Sequence, residues 1–452
     1  MAIIFSVIVK LHKSFEYLKK ARILIPSLTQ TFSRAPYTFV EGAFPVYAKS
    51  AKGSHFTDVD GNQYIDYLCG LGPVVLGHSY PKINNAIKKQ LKDGIIFSLP
   101  NKLEIDLSEL LCKIIPNTEM VKFSKTGSGA ATGAVRAARA ITGRDKIAYC
   151  GSGGVWHDWY AGIISRDQGV PKFNKDLIST FDYNDIDGLE YIFEKNKNKI
   201  ACVFMEPTIF DQPKNNFLQK VKKLTKMNDS VLIFDEIVTG FRFANGGGQE
   251  FFGISPDITV LGKGLANGMP LSAVTGKTEF MKIFDKVFFS TTYAGEVLSL
   301  AASYATVTEF KEKPVIKKMW NNGTILMNEF NKISNESSLP IGLSGYPVRM
   351  KLIGKDAQGN DSILVRSLLI QELVKRGIFM HPGIEYISYS HEKIDIKKTI
   401  DAFIDSIPIL KKAISENKIK SYLEGNPAKP VYNLIKFPEK KSNISKNNVR
   451  RK

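Results

Sequence analysis

From about residue 100, five short apolar, β-rich runs recur between helix-patterned stretches: residues 121–123, 146–150, 201–205, 231–234 and 258–261. Strands alternating with helices pair mostly in parallel, so the alternation restricts the chain to an α/β architecture on a largely parallel sheet. Such sheets bind ligands outside the carboxyl ends of their strands. Here those ends read Ser124-Lys125-Thr126-Gly127-Ser128, Gly151-Ser152-Gly153, Glu206-Pro207, Asp235-Glu236 and Gly262-Lys263. Each carries polar or glycine chemistry, so the reactive groups are expected along one edge of the sheet.

Three of these ends are informative together. Lys263 stands between Gly262 and Gly264, with Gly268 and Pro270 close behind. Glycine neighbours leave its amine uncrowded, and a lysine with a lowered pKa forms a Schiff base with an aldehyde. Alone, the segment reads more readily as a solvated loop. Gly127-Ser128-Gly129 opens a helix, and a helix N-terminus offers free N–H groups to a phosphate. Gly127, Gly129 and Gly133 spell GxGxxxG with no following Walker lysine, so neither a dinucleotide fold nor a P-loop is indicated, and simple capping fits as well. Asp235 and Glu236 end an apolar strand and point to opposite faces. A carboxylate at that depth needs a positive partner. That partner could be Arg242, a metal ion or a protonated pyridine nitrogen. An aldehyde, a pyridine nitrogen and a phosphate are together the handles of pyridoxal phosphate.

The rest of the chain supplies context. Residues 12–25 have helical spacing, with Phe15, Leu18, Ala21 and Arg22 roughly on one face and Pro26 ending the helix. Residues 43–66 read as a meander turning at Asp60-Gly61-Asn62. Pro81 starts a helix with Ile83, Ala86, Ile87 and Leu91 as its apolar stripe. Beyond about residue 310 the pattern is α+β, with strands near 348–352 and 386–389 and helices near 362–376 and 394–416. The net charge of +18 is concentrated at the ends: residues 1–36 and 438–452 each hold six Lys/Arg against one acid. Such ends are solvated tails more often than nucleic-acid sites, so no nucleic-acid partner is expected. The four cysteines and six histidines show no metal spacing, so no metal is expected and a reducing compartment fits. The apolar run 1–9 is too short to span a bilayer, and a soluble, cytoplasmic protein is expected.

The chain resembles the class III, fold-type I aminotransferases, most nearly their glutamate-1-semialdehyde aminomutase-like branch. The resemblance is carried by Phe234-Asp235-Glu236-Ile237-Val238-Thr239-Gly240-Phe241-Arg242 and by Gly262-Lys263-Gly264-Leu265-Ala266-Asn267-Gly268-Met269-Pro270. Thr57-Asp58-Val59-Asp60-Gly61-Asn62, Gly72-Pro73-Val74-Val75-Leu76-Gly77-His78 and Thr142-Gly143-Arg144 add to it. It implies pyridoxal 5'-phosphate as cofactor, Lys263 as Schiff-base lysine and proton shuttle, and Asp235 on the pyridine nitrogen. It further implies Ile237 under the ring and Gly127 and Ser128 on the phosphate. Thr292 would reach the phosphate of a partner subunit, hence a homodimer with shared sites. Arg34 loosely matches a substrate-carboxylate arginine. Two departures stand out. Gly129 replaces the usual acid of the phosphate turn, and the loop 150–158 lacks the ring-stacking tyrosine, which Trp156 or His157 would replace. Otherwise Trp156 and Trp159 are core packing.

The resemblance implies a large cofactor domain over 100–311 and a smaller domain from 36–99 and 312–425. An N-terminal extension (1–35) and a basic tail (426–452) flank them. The expected reaction is ping-pong transfer from an amino-acid donor to a carbonyl acceptor. An intramolecular aminomutase, amino transfer in surface-polysaccharide or amino-sugar synthesis, and a weakly active homologue are the alternatives.

Overall fold

The computed structural model describes residues 10–151 and 154–431. The apolar run 1–9, Ser152-Gly153 and the basic residues from 432 onward lie outside the described residues. A first meander consists of β1 (Ala48–Lys52), β2 (His55–Asp58) and β3 (Gln63–Asp66). The large sheet follows: β4 (Met120–Ser124), β5 (Lys146–Cys150), β6 (Ile178–Thr180), β7 (Ile200–Met205), β8 (Val231–Glu236), β9 (Ile258–Leu261) and β10 (Ser272–Gly276). A third group is β11 (Ile341–Tyr346), β12 (Arg349–Gly354), β13 (Ile378–Phe379) and β14 (Glu385–Tyr386).

The large sheet has the order β4-β10-β9-β8-β7-β5-β6. Pairing is parallel from β9 through β6, while β10 runs antiparallel to both its neighbours. All five expected strands are present. The structure adds β6 and β10, which the sequence pattern misses. Ser272-Ala273-Val274-Thr275-Gly276 has few bulky β-formers, yet all five residues are buried in the sheet.

The central strands are covered on both faces, and their side chains alternate between two cores. Cys202 and Phe204 of β7, with Val231 and Ile233 of β8, pack on the face covered by helix Gly127–Thr142. Val203, Met205, Leu232 and Phe234 pack with Leu189 and Val221 of the opposite helices. This period-2 rule fixes where the polar residues at the strand ends go.

The meander joins a distant part of the chain, since β13 pairs in parallel with β3 through Ile378 and Ile65. β11, β12 and β14 form a separate antiparallel sheet. The last expected strand is shorter and earlier than its pattern suggested, at Glu385–Tyr386, because the chain turns away after one pair of residues to place Tyr389 on the Val75 carbonyl. The N-terminal helix His12–Leu24 buries Ser14, Leu18 and Ala21. Arg22 is exposed and pairs with Glu41 instead of joining the apolar face. Leu91 likewise is exposed, so the helix Pro81–Leu91 buries chiefly Ile83.

Helix Val315–Glu336 meets the β11–β12 turn backbone to backbone, and a Cβ on Gly323 would overlap the Pro347 carbonyl. Gly323→Ala should therefore cost about 2 kcal/mol of stability. A lower denaturant midpoint at unchanged slope is the expected reading.

Candidate active site

The strand order makes β9, β8, β7 and β5 neighbours, so Lys263, Asp235, Glu206 and Gly151 follow in a row along one edge. Asp235 continues the Ile233 side of β8, facing the helix Gly127–Thr142. Glu206 continues the Phe204 side of β7 and faces the same way. Glu236 points to the opposite side and is fully buried.

Glu236 has no ion pair with Arg242. It accepts from the Thr239 hydroxyl at 2.5 Å and from the Gly248 and Gln249 N–H groups at 2.6 Å each. Burial pushes its carboxyl up to about 7, and these donors work against the rise. Arg242 instead donates to the Gly72 carbonyl at 2.5 Å and lies over the Tyr386 ring at 4.4 Å. The short helix Gly247–Phe252 supplies the N–H groups that a salt bridge would have replaced. Nothing in the local sequence announces that substitution.

Lys263 opens a short 3-10 turn, Lys263–Ala266, with φ +37°. A non-glycine residue in that region is strained, which indicates that its surroundings hold it there. They do so from several sides. Gly264 admits Val75, whose Cγ1 would lie 3.1 Å from an added Cβ. The Asn267 side chain bonds the Leu76 N–H at 2.9 Å and the Gly77 carbonyl at 3.0 Å. Ser303 donates to the Leu265 carbonyl at 2.9 Å. The lysine itself is half-buried. Burial, then the Arg349 charge, brings its amine down to about 8, so roughly a tenth of it is neutral near pH 7, far more than for an exposed lysine.

Asp235 is also half-buried. Its Oδ1 accepts the Ile237 N–H at 3.0 Å. Burial and then the Glu206 charge raise its carboxyl to about 7, against the pull of Lys263 and Arg349. A cationic ring nitrogen is the kind of partner that would keep it ionised.

The helix Gly127–Thr142 starts with the Thr126 hydroxyl accepting the Gly129 N–H at 3.0 Å. Its glycines have steric causes. A Cβ on Gly127 would lie 2.6 Å from Ile237 Cδ1, and one on Gly129 would lie 2.7 Å from Ser124 Oγ. At Gly129, the departure in this turn, any side chain would require the Ser124 hydroxyl to turn aside. Ile237 also packs toward Gly262, 3.4 Å from where its Cβ would be. One isoleucine therefore touches both the phosphate-type turn and the lysine loop.

Trp156 is 72% exposed, so it is not core packing, and its backbone N–H donates to Ser128 Oγ at 3.3 Å. Trp159 is core: it packs on Phe204, and its indole N–H donates to Thr132 Oγ1 at 2.7 Å. His157 is half-buried and shares a hydrogen bond of 2.7 Å with the same hydroxyl. Burial lowers its pKa, so its ring is neutral near pH 7. Thr292 is exposed, on the segment leading to helix Val297–Glu312. The Lys125–Glu296 ion pair, at 2.8 Å, ties that segment to the phosphate-type turn. Arg34 donates to the Gly70 carbonyl at 3.0 Å. It lines a cavity of about 230 Å³ with Phe39, Tyr47, Asp66 and His78.

Two groups at the site escaped the sequence reading. Arg349 pairs with Glu206 at 2.7 Å from the small β11–β12–β14 sheet. No sequence signal links it to residues more than a hundred positions away. Tyr149 is buried under the same edge with its ring on Phe204, and its hydroxyl lies 2.7 Å from where a Gly151 Cβ would stand. Its place was accessible in principle, since it precedes a strand end. Among the described residues no cluster of three or more His, Cys, Asp or Glu could hold a metal ion, and no helix is long and apolar enough to cross a membrane.

A mostly parallel sheet that brings a neutralisable lysine, a carboxylate and a helix N-terminus to one edge supplies the partners that the aldehyde, ring nitrogen and phosphate of pyridoxal phosphate need. The residues fit that group, with Gly127 and Ile237 shaping a floor between the phosphate-type turn and the lysine. The chain belongs to the class-III aminotransferase family, which matches residues 38–343. It is accordingly a class III aminotransferase or aminomutase enzyme of a pyridoxal-phosphate-dependent family. It is 34% identical to the 3-aminobutyryl-CoA aminotransferase of Cloacimonas acidaminovorans, over 90% of this chain and 99% of the relative. It is 35% identical to the glutamate-1-semialdehyde 2,1-aminomutase of Alkaliphilus oremlandii, over 88% of this chain and 99% of the relative. Its fold superposes with a TM-score of 0.84 on the FumI protein of Sphingopyxis sp. MTA144, solved in its PLP internal aldimine form. That match has 22% identity and covers 89% of this chain and 98% of the other.

Proposed function

We propose that this protein is a homodimeric, cytoplasmic aminotransferase that moves an amino group from an amino-acid donor to a separate carbonyl acceptor in two half-reactions. The observation that carries the reading is the row Lys263, Asp235 and Glu206 on neighbouring strand ends, facing the helix that starts at Gly127. Bound pyridoxal phosphate would supply an aldehyde for the amine and a ring that accepts an electron pair from the substrate carbon.

The protein's own residues do the rest. The N–H groups at Gly127 and Ser128 would hold the phosphate. The Asp235 carboxylate would keep a proton on the ring nitrogen. Ile237 and one of Trp156 and His157 would hold the ring. Lys263 Nζ would take the aldehyde and would serve as the base that moves the proton. Thr292, exposed on a segment fixed beside the phosphate turn, would contribute to the partner subunit's site. Arg34 takes a substrate carboxylate. The same reading divides the chain into a cofactor domain (100–311) and a small domain (36–99 and 312–425), with an extension at 1–35 and a tail from 426. Four unpaired thiols suit a reducing compartment.

The aminomutase relatives keep an intramolecular reaction as the second reading. Incubating the pyridoxal-phosphate-loaded protein with L-glutamate, L-alanine or β-alanine, and no acceptor, separates the two. Two half-reactions predict up to one equivalent of keto product per site, with loss of the cofactor's visible absorbance. Turnover of an amino aldehyde with no released keto acid from any donor would reverse the assignment.

A further inference from the structure

We propose that Arg349 is a positioning residue for the lysine site: its guanidinium holds the Glu206 carboxylate and balances its charge beside Asp235 and Lys263. The inference rests on the pyridoxal-phosphate reading of that site.

The like charges come together by register. Met205 of β7 pairs with Phe234 of β8, so the next residues, Glu206 and Asp235, are neighbours on one face. Glu236 pairs with Leu261 of β9, which leads into Lys263. Two carboxylates side by side in a closed crevice disfavour each other's ionised form. Asp235 must stay ionised to hold a proton on the ring nitrogen, so the Glu206 charge has to be neutralised without using Lys263 for it.

Arg349 meets that requirement. It is 2% exposed. Its Nη1 lies 2.7 Å from Glu206 Oε2 and 3.1 Å from the Thr208 carbonyl, and its guanidinium sits over the Phe210 ring at 5.3 Å. Its Nε is buried with no partner among the described residues. A guanidinium keeps its charge when buried, whereas an ammonium shifts readily. It also arrives from β12, outside the large sheet, so it links the small sheet to the reacting groups.

The charged and titratable groups around Lys263 are Arg349 on β12, Glu206 at the end of β7, Asp235 on β8 and Arg242 beyond β8. Tyr149 on β5 adds to those acting on the Asp235 side, and Tyr386 on β14 lies between the two arginines' influence. Arg349 disfavours the charged form of Lys263, and Glu206 favours it. The two members of the pair therefore act on the lysine with opposite signs, so removing either one alone should shift capture in opposite directions.

The test is the pH dependence of capture. Cofactor-free protein is mixed with pyridoxal phosphate at a series of pH values, trapped with borohydride, and the adduct on Lys263 is quantified by peptide mass spectrometry. Arg349→Met should move the midpoint of capture upward by about one pH unit, which is roughly tenfold slower capture on the acid side. Glu206→Gln should move it downward. Arg349→Lys should fall between Arg349→Met and the wild type, and the double variant Glu206→Gln/Arg349→Met should return toward the wild type. Midpoints that do not move in either single variant, with or without lower thermal stability, would overturn the proposal. So would an increased KM for carboxylate donors at an unmoved midpoint, which makes Arg349 a substrate anchor. If Arg349→Met fails to fold, the opposite shift of Glu206→Gln carries the test. No adduct on Lys263 in the wild type would instead refute the underlying functional reading.

Discussion

Lys263→Ala is expected to lower amino transfer by about 10⁴ or more, because one side chain both anchors the aldehyde and moves the proton. Lys263→Arg should be equally inactive, since it keeps the charge but cannot form an imine. That control separates chemistry from packing. The side chain is half-buried, and alanine keeps the backbone at φ +37° as it is, so truncation removes little core packing. Thermal unfolding should therefore change little while turnover disappears. Retained turnover in either variant would mean that another amine does the work.

Asp235→Asn should lower turnover by on the order of 10²–10³, the usual loss when a buried group that stabilises developing charge is removed. Asparagine fills the same space but cannot hold a proton on a ring nitrogen. Asp235→Glu should recover part of the activity. The same variant has a stability signature in the cofactor-free protein. Folding raises the Asp235 carboxyl to about 7, from burial first and Glu206 second. A carboxyl raised on folding stabilises the protein while protonated, and that contribution is lost as pH rises from its unfolded range, about 4, through about 7. Wild-type apo-protein should thus lose more stability over that window than Asp235→Asn. Glu236, raised in the same direction, is common to both and cancels in the comparison. Parallel melting curves across the window would show that Asp235 is not held as described.

The βα alternation was legible because β7, β8 and β9 are apolar on both faces, which leaves unbroken runs in the sequence. β10 was not, because Ser272, Ala273 and Gly276 suit a strand wedged between two neighbours without resembling one. The opposite directions of Asp235 and Glu236 followed from the two-residue period of a strand. Glu236's partners did not, since backbone N–H groups carry no sequence signature. Trp156 and Trp159 looked alike in the sequence, yet one is exposed and the other packs on Phe204. Arg349 was invisible for a topological reason: it reaches the site from a different sheet.

The central claim is that Lys263 is the residue that captures the cofactor. It is tested most directly by adding pyridoxal phosphate to the purified protein, reducing with borohydride and mapping the labelled peptide. A single stoichiometric adduct on Lys263, absent from Lys263→Ala, is the predicted result. No adduct, or one spread over other lysines with Lys263 unlabelled, would contradict it.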